Sequence, residues 1–170
     1  HHLIRDKNIY TQVKAGDPVT ALDALIYQGM LYHGTVDITM ARGEGFNYLN
    51  AGKFLERAIL SADMLNIKLT ELNYNLEAPV ELPALRYLLY SLSGYELYLK
   101  THRGNLQADF VIQQIVYNEQ FPHSIAYCLK QLFRYFERLE AESLPENYKQ
   151  LEFLIGRAMN NVKYSIINTT

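Results

Sequence analysis

The sequence predicts an all-α fold, an antiparallel bundle of about six helices around one central helix at about 44–69. Three observations predict it. Apolar residues recur at steps of three and four through most of the chain. Alternation at period two, the mark of a half-buried strand, is absent, as are hairpin signals. Gly16-Asp17-Pro18, Gly43 with Gly45, Pro79 with Pro83, Arg103-Gly104 and Pro145 punctuate the chain between the periodic segments, so the links are short. With 170 residues, 49% of them apolar, the chain can bury a core. It is read as one helical domain spanning 1–170.

Residues 1–15 are mixed, with helix expected toward their end. Gly16-Asp17-Pro18 is a stop and a start: Gly just past one helix, Asp as N-cap, Pro at the first position of the next. From 19 to 40, Leu22, Ile26, Met30, Val36 and Met40 fall at roughly helical spacing. Gly29 and Gly34 each weaken that helix by about 1 kcal/mol relative to Ala, and their small size admits a close neighbour.

Gly43 and Gly45 precede the longest helical pattern, 44–69. Its main apolar stripe is Tyr48, Ala51, Phe54, Leu55, Ala58, Ile59, Ala62, Leu65 and Leu69. A second stripe is Leu49, Leu60, Met64 and Ile67. A helix apolar on two sides is expected to be surrounded on most of its circumference. Glu56 and Arg57 sit in its middle. As neighbours they point about 100° apart, so each needs its own partner.

The stretch NYNLEAPVELP (73–83) reads as a loop, because Pro79 and Pro83 exclude a helix interior. One helix is expected over 84–102, with Leu85, Leu88, Leu89, Leu92 and Leu99 on one face. Glu96 falls on that same face. Arg103-Gly104 ends it, and a short helix follows at 107–116. Pro122 is a plausible first helical position for the next. There Ile125, Leu129, Leu132, Phe136 and Leu139 make a clean amphipathic stripe. A break at 143–145 leads to a last helix over 146–167, with Leu151, Leu154, Ile155, Ala158, Val162 and Ile166 on one face.

Composition excludes several functions. Net charge is −2 with acids and bases interspersed, so nothing suggests a nucleic-acid partner. No apolar run reaches the ~18–20 residues that span a bilayer. The single Cys128 can form neither an internal disulfide nor a thiolate metal site, and it suits a reducing, cytoplasmic compartment. Its sequence neighbours do not activate it, so a buried, inert thiol is expected. Glu-x-x-His, His-Glu-x-x-His, phosphate-loop and nucleophile-elbow patterns are absent. His33 and Asp37 share a helix face, but two ligands make no metal site. Neither metal nor cofactor is expected. Fourteen Tyr against 7 Phe and no Trp suit core edges where phenols hydrogen-bond.

The segments MARGEGFNYLNAGKFLERA and ADMLNIKL, then SGYELYLKTHRGNLQADFVIQQIVYNEQFPHSIAYCL, resemble the alpha-E family of helical bacterial proteins with a Glu-Arg motif. The resemblance covers about 40–139. It implies that the chain is the C-terminal half of a longer protein; otherwise His1-His2 is the remnant of a tag. It also implies a genomic neighbourhood of ATP-grasp-type peptide ligases and transglutaminase-like proteins. Glu56, Arg57, Glu96, Arg103, Pro122 and Ser124 are the positions that carry over. His123 stands where the family usually has Arg.

For the charged residues, the expectation from burial is an ion-pair network joining two helices, because a charge on an apolar stripe must be paired. Arg57 with Glu96 is the natural pair, and Arg86 or Arg103 would take Glu56. Breaking such a pair costs ~3–5 kcal/mol. Two functional readings follow. In the first, the chain is a non-catalytic helical scaffold or partner module for the ATP-grasp-type or transglutaminase-like protein. In the second, it is an enzyme of peptide or amide chemistry, with Glu56, Arg57 and Glu96 converging in an open pocket. A homo-oligomeric structural protein would share the bundle and lack the pocket.

Overall fold

A computed structural model describes residues 11, 13–74, 82–103, 105–140 and 147–165. Every regular element among the described residues is a helix: α1 (Pro18–Thr39), α2 (Glu44–Glu71), α3 (Leu82–Ser91), α4 (Tyr95–His102), α5 (Ala108–Tyr117), α6 (Ile125–Glu140) and α7 (Asn147–Lys163). The chain divides into two compact units, His1–Arg42 and Gly43–Thr170. Most of the expected loop at 73–83 and the break at 143–145 lie outside the described residues, and the last helix ends at Lys163 rather than at 167.

In the first unit, the Gly16-Asp17-Pro18 punctuation works as its residue types require. Gly16 takes φ +86°, which costs glycine little. The Asp17 carboxylate accepts from the Thr20 N–H at 3.2 Å, and Pro18 opens the helix. That hydrogen bonding holds the Asp17 carboxyl below its ordinary pKa. Leu22, Ile26 and Met30 are exposed along α1, and so are Tyr27 and Leu31 beside them.

In the second unit, two apolar cores share α2. Leu65 of α2 joins Leu85, Leu88 and Leu89 of α3 and Leu92 just after it, with Tyr98, Val111, Ile115 and Phe121. Phe54 and Ala58, two to three turns earlier, join Cys128, Leu129 and Leu132 of α6, with Ile155, Ala158 and Val162 of α7 against them. The amphipathic stripe of α6 is buried as its spacing predicts. Phe54 also stacks on Tyr135, with centroids 5.9 Å apart and planes 15° off parallel.

The central helix is buried along one stripe only: Phe46, Asn47, Asn50, Phe54, Ala58, Ser61 and Leu65. This corrects the expectation of a helix surrounded on most sides. Leu60 and Ile67, from the second stripe, are exposed. The buried stripe is also partly polar, which apolar periodicity cannot show. Asn50 lies inside it because its amide donates to the Phe46 carbonyl at 2.9 Å and accepts from Lys53.

The expected helix 84–102 is two helices. After α3 the Gly94 N–H bonds the Leu89 carbonyl at 2.7 Å, and the Ser93 N–H bonds that of Tyr90 at 2.9 Å, with Ser93 at φ 56°. Those paired bonds are a Schellman ending. Gly94 then leads into α4. A Cβ at Gly94 would stand 2.7 Å from Cζ of the buried Phe121 and 3.0 Å from Nε2 of Gln114. Gly94→Ala should therefore cost about 1–3 kcal/mol through overpacking. Thermal unfolding should show a fall of several degrees, at about 2–4 °C per kcal/mol for a chain of this size. An unchanged midpoint would mean that Phe121 moves aside freely.

Candidate functional site

Of the residues carried over from the resemblance, Arg57, Pro122 and Ser124 meet at the turn between α5 and α6, and they meet through backbone groups. Arg57 and Ser61 are four apart on α2, so they share a face. Arg57 Nη1 donates to the Pro122 carbonyl at 3.2 Å. Ser61 Oγ donates to the next carbonyl, that of His123, at 2.7 Å. Cys128 Sγ makes a weak contact of 3.5 Å to the same Pro122 oxygen. The Arg57 guanidinium also lies over the Phe54 ring, 5.5 Å from its centroid.

Ser124 locks the turn from its other end. Its Oγ donates to the Asn118 carbonyl at 2.6 Å and accepts from the Tyr127 N–H at 3.0 Å. The second bond caps α6, which therefore starts at Ile125. Pro122 is not the first helical residue; it lies within the turn, where its carbonyl is the acceptor for Arg57. Phe121 buries its ring in the α3–α5 core.

The structure separates the other charged residues from this cluster. Glu96 sits in the first turn of α4 and is exposed. The break at 92–94 resets the helical register, so the buried residue of α4 is Tyr98. Two residues away from it, Glu96 points to the opposite side. No ion pair joins Arg57 to Glu96 among the described residues, whose ion pairs are Arg42–Asp37, Lys68–Glu71 and Lys130–Glu119. Glu56 is exposed, with neither Arg86 nor Arg103 paired to it. Arg86 lies over the Tyr95 ring instead, 5.9 Å away. Arg103 closes α4 in the left-handed conformation at φ 50° and is exposed.

Two titratable groups feel the cluster. Burial, and after it the Arg57 charge, holds the half-buried His123 imidazole below its ordinary pKa. Burial pushes the Cys128 thiol up to about 11, so the thiolate nucleophile is scarce at neutral pH. Among the described residues no group of three His, Cys, Asp or Glu could hold a metal ion, and no helix is long and apolar enough to cross a membrane. Ser61 and Asn118 belong to the site and were missed in the sequence. The signal for Ser61 was its place one turn after Arg57, on a stripe read as apolar.

With this geometry in place, comparison with known proteins gives one result. The family model described as a predicted alpha-helical domain with a conserved ER motif, Alpha-E, matches residues 3–170. The chain belongs to the Alpha-E family. The match extends well beyond the stretch 40–139 on which the resemblance was visible. The chain holds two Glu-Arg steps, Glu56-Arg57 in α2 and Glu137-Arg138 in α6. No curated protein and no solved structure matches the chain.

Arg57→Met should keep the packing of the stem over Phe54 and lose one charge-assisted bond to a carbonyl. A cost of about 1 kcal/mol is expected, well below that of a broken buried pair. Glu56→Gln and Glu96→Gln should stay within about 0.5 kcal/mol of the parent. Urea titration of the three variants checks this ranking, and a large loss for Glu96→Gln would reinstate the ion pair.

The His123 shift has a definite sign. Its folded pKa is below its unfolded one, so the unfolded chain binds the proton more readily. The neutral ring makes no difference above the ordinary imidazole pKa, and stability falls as pH drops through that range. His123→Gln should flatten this part of the stability profile, measured by denaturant midpoints between neutral and mildly acidic pH.

Proposed function

We propose that this Alpha-E chain is a non-catalytic helical module that docks a protein partner in the cytoplasm. The partner is an ATP-grasp-type peptide ligase or a transglutaminase-like protein, as the family resemblance implies. One observation carries the module reading. α2, α6 and α7 leave open a groove of about 400 Å³ that is lined almost wholly by apolar side chains, among them Tyr48, Leu55, Leu132, Phe136, Leu151 and Leu154. Tyr48, Leu55, Leu151 and Leu154 are each 45–49% exposed within it. Open apolar grooves between helices are where partner helices lay their own apolar faces.

The placement of the charged residues supports the same reading. An enzyme working through Glu56, Arg57 and Glu96 needs the three to converge on solvent. Arg57 is engaged with the backbone of the 118–124 turn, and both glutamates are exposed, with no ion pair among the described residues.

Co-purification of the chain with each of the two candidate partners tests the proposal. Capture of one of them, lost in Leu55→Glu and in Leu154→Glu, is the expected result. Capture of neither, or capture unchanged by both substitutions, would remove it. Circular dichroism of the variants guards against loss of the fold.

A further inference from the structure

The groove between α2 and α7 restricts what can lie in it. Its lining is almost free of polar groups. An extended segment laid there would find nothing to bond its backbone N–H and C=O groups. Strand addition needs an open sheet edge, and every regular element among the described residues is a helix. An α-helix bonds its own backbone, so it can enter such a surface with side chains alone. The walls run from Tyr48 to Leu55 on α2 and from Tyr148 to Ala158 on α7. At ~1.5 Å per residue the α7 wall spans about 15 Å, room for about three helical turns.

Charge narrows the occupant further. Each residue of α2 turns about 100° from the last. Within about 100° of the direction shared by Tyr48 and Leu55, the charged residues of α2 are Glu44, Glu56 and Asp63. All three are exposed, and none belongs to an ion pair among the described residues. The bases Lys53 and Arg57 fall outside that arc, and both lie over the Phe54 ring. On α7, Asn147, Gln150 and Asn161 follow the groove side. The nearest base there, Arg157, lines a separate depression with Phe153 and Asn160. The mouth of the groove is therefore acidic along α2 and not along α7.

Taking the groove as a docking site, we propose that its occupant is an amphipathic helix of the partner that carries Lys or Arg on the flank facing α2. Glu56 and Asp63 pair with those cations at the rim. Glu56 then reads the partner, while its neighbour Arg57 holds the 118–124 turn of its own chain. An acidic helix, or a fatty acyl chain with its carboxylate, meets repulsion from the same rim. Exposed rim charges select and steer a partner more than they tighten it, so the apolar floor supplies the affinity.

The test uses two synthetic helical peptides with the same leucine stripe, one flanked by lysines and one by glutamates. Each is titrated against the whole chain by fluorescence anisotropy. At low salt the lysine peptide should bind at least about tenfold more tightly, with the gap closing as salt is added. Glu56→Gln should weaken it about threefold, the scale of one exposed ion pair, and Glu96→Gln should leave it unchanged. Glu56→Lys should shift the preference toward the glutamate peptide. Equal binding of the two peptides, or equal losses in Glu56→Gln and Glu96→Gln, overturns the proposal while leaving the groove as a docking site. Binding of neither peptide overturns it too. Co-purification then decides the wider reading: a candidate partner captured by the parent and lost in Leu154→Glu keeps the groove as the docking site.

Discussion

The second unit depends on anchoring a non-helical stretch of chain whose Phe121 and Ser124 are buried. The turn at 118–124 runs between two apolar cores, where its carbonyls cannot all rely on water. Each must find a donor, and the surrounding helices supply them. Arg57 and Ser61 reach the carbonyls of Pro122 and His123 from α2. Ser124 reaches that of Asn118 and caps α6 in the same arrangement. Phe121, held from the opposite direction, requires Gly94 to have no side chain. The end of α3, the start of α4 and the start of α6 are thus set by one turn.

That constraint explains why Arg57 bonds a backbone oxygen. A carboxylate partner at this depth would bring a second charge out of water, and its desolvation can exceed the attraction gained. A carbonyl accepts the guanidinium proton without that cost. The cation is then left half-buried beside the Phe54 ring, where the π face and remaining solvent moderate it. The same charge reaches His123 and Cys128, depressing the imidazole pKa and partly opposing the rise that burial gives the thiol.

Local rules made the helical fold legible in the sequence. Gly16-Asp17-Pro18 forms its stop and start from three adjacent residues, and the α6 stripe needs nothing beyond its own spacing. The errors fall where a distant contact decides. Continuous apolar periodicity across 84–102 gives no sign that Phe121 will press on Gly94. The Schellman ending with Ser93 in the glycine-like conformation hides the break further, because serine there carries no turn signal of its own. Once the helix is read as unbroken, Glu96 is placed on the wrong face, and the supposed partner of Arg57 follows from that error. The polar members of the α2 stripe were hidden for a related reason. Asn50 and Ser61 are buried because particular carbonyls await them, and no periodicity of hydrophobicity records a carbonyl.

The two cores also present different chemistry at the surface. Around Phe54 and Leu132, α2, α6 and α7 fill the interior but leave Leu55, Leu151 and Leu154 at the groove. Water pays for that arrangement with unfavourable contact along an apolar strip, and any apolar surface laid on it removes the cost. Around Val111 and Ile115 the apolar interior is closed, and amide, hydroxyl and imidazole groups line an open depression beside α4 and α5. An apolar partner gains nothing there, since it would strand those groups. The two faces thus differ in chemistry: a surface that suits the apolar groove does not suit the region beside α4 and α5.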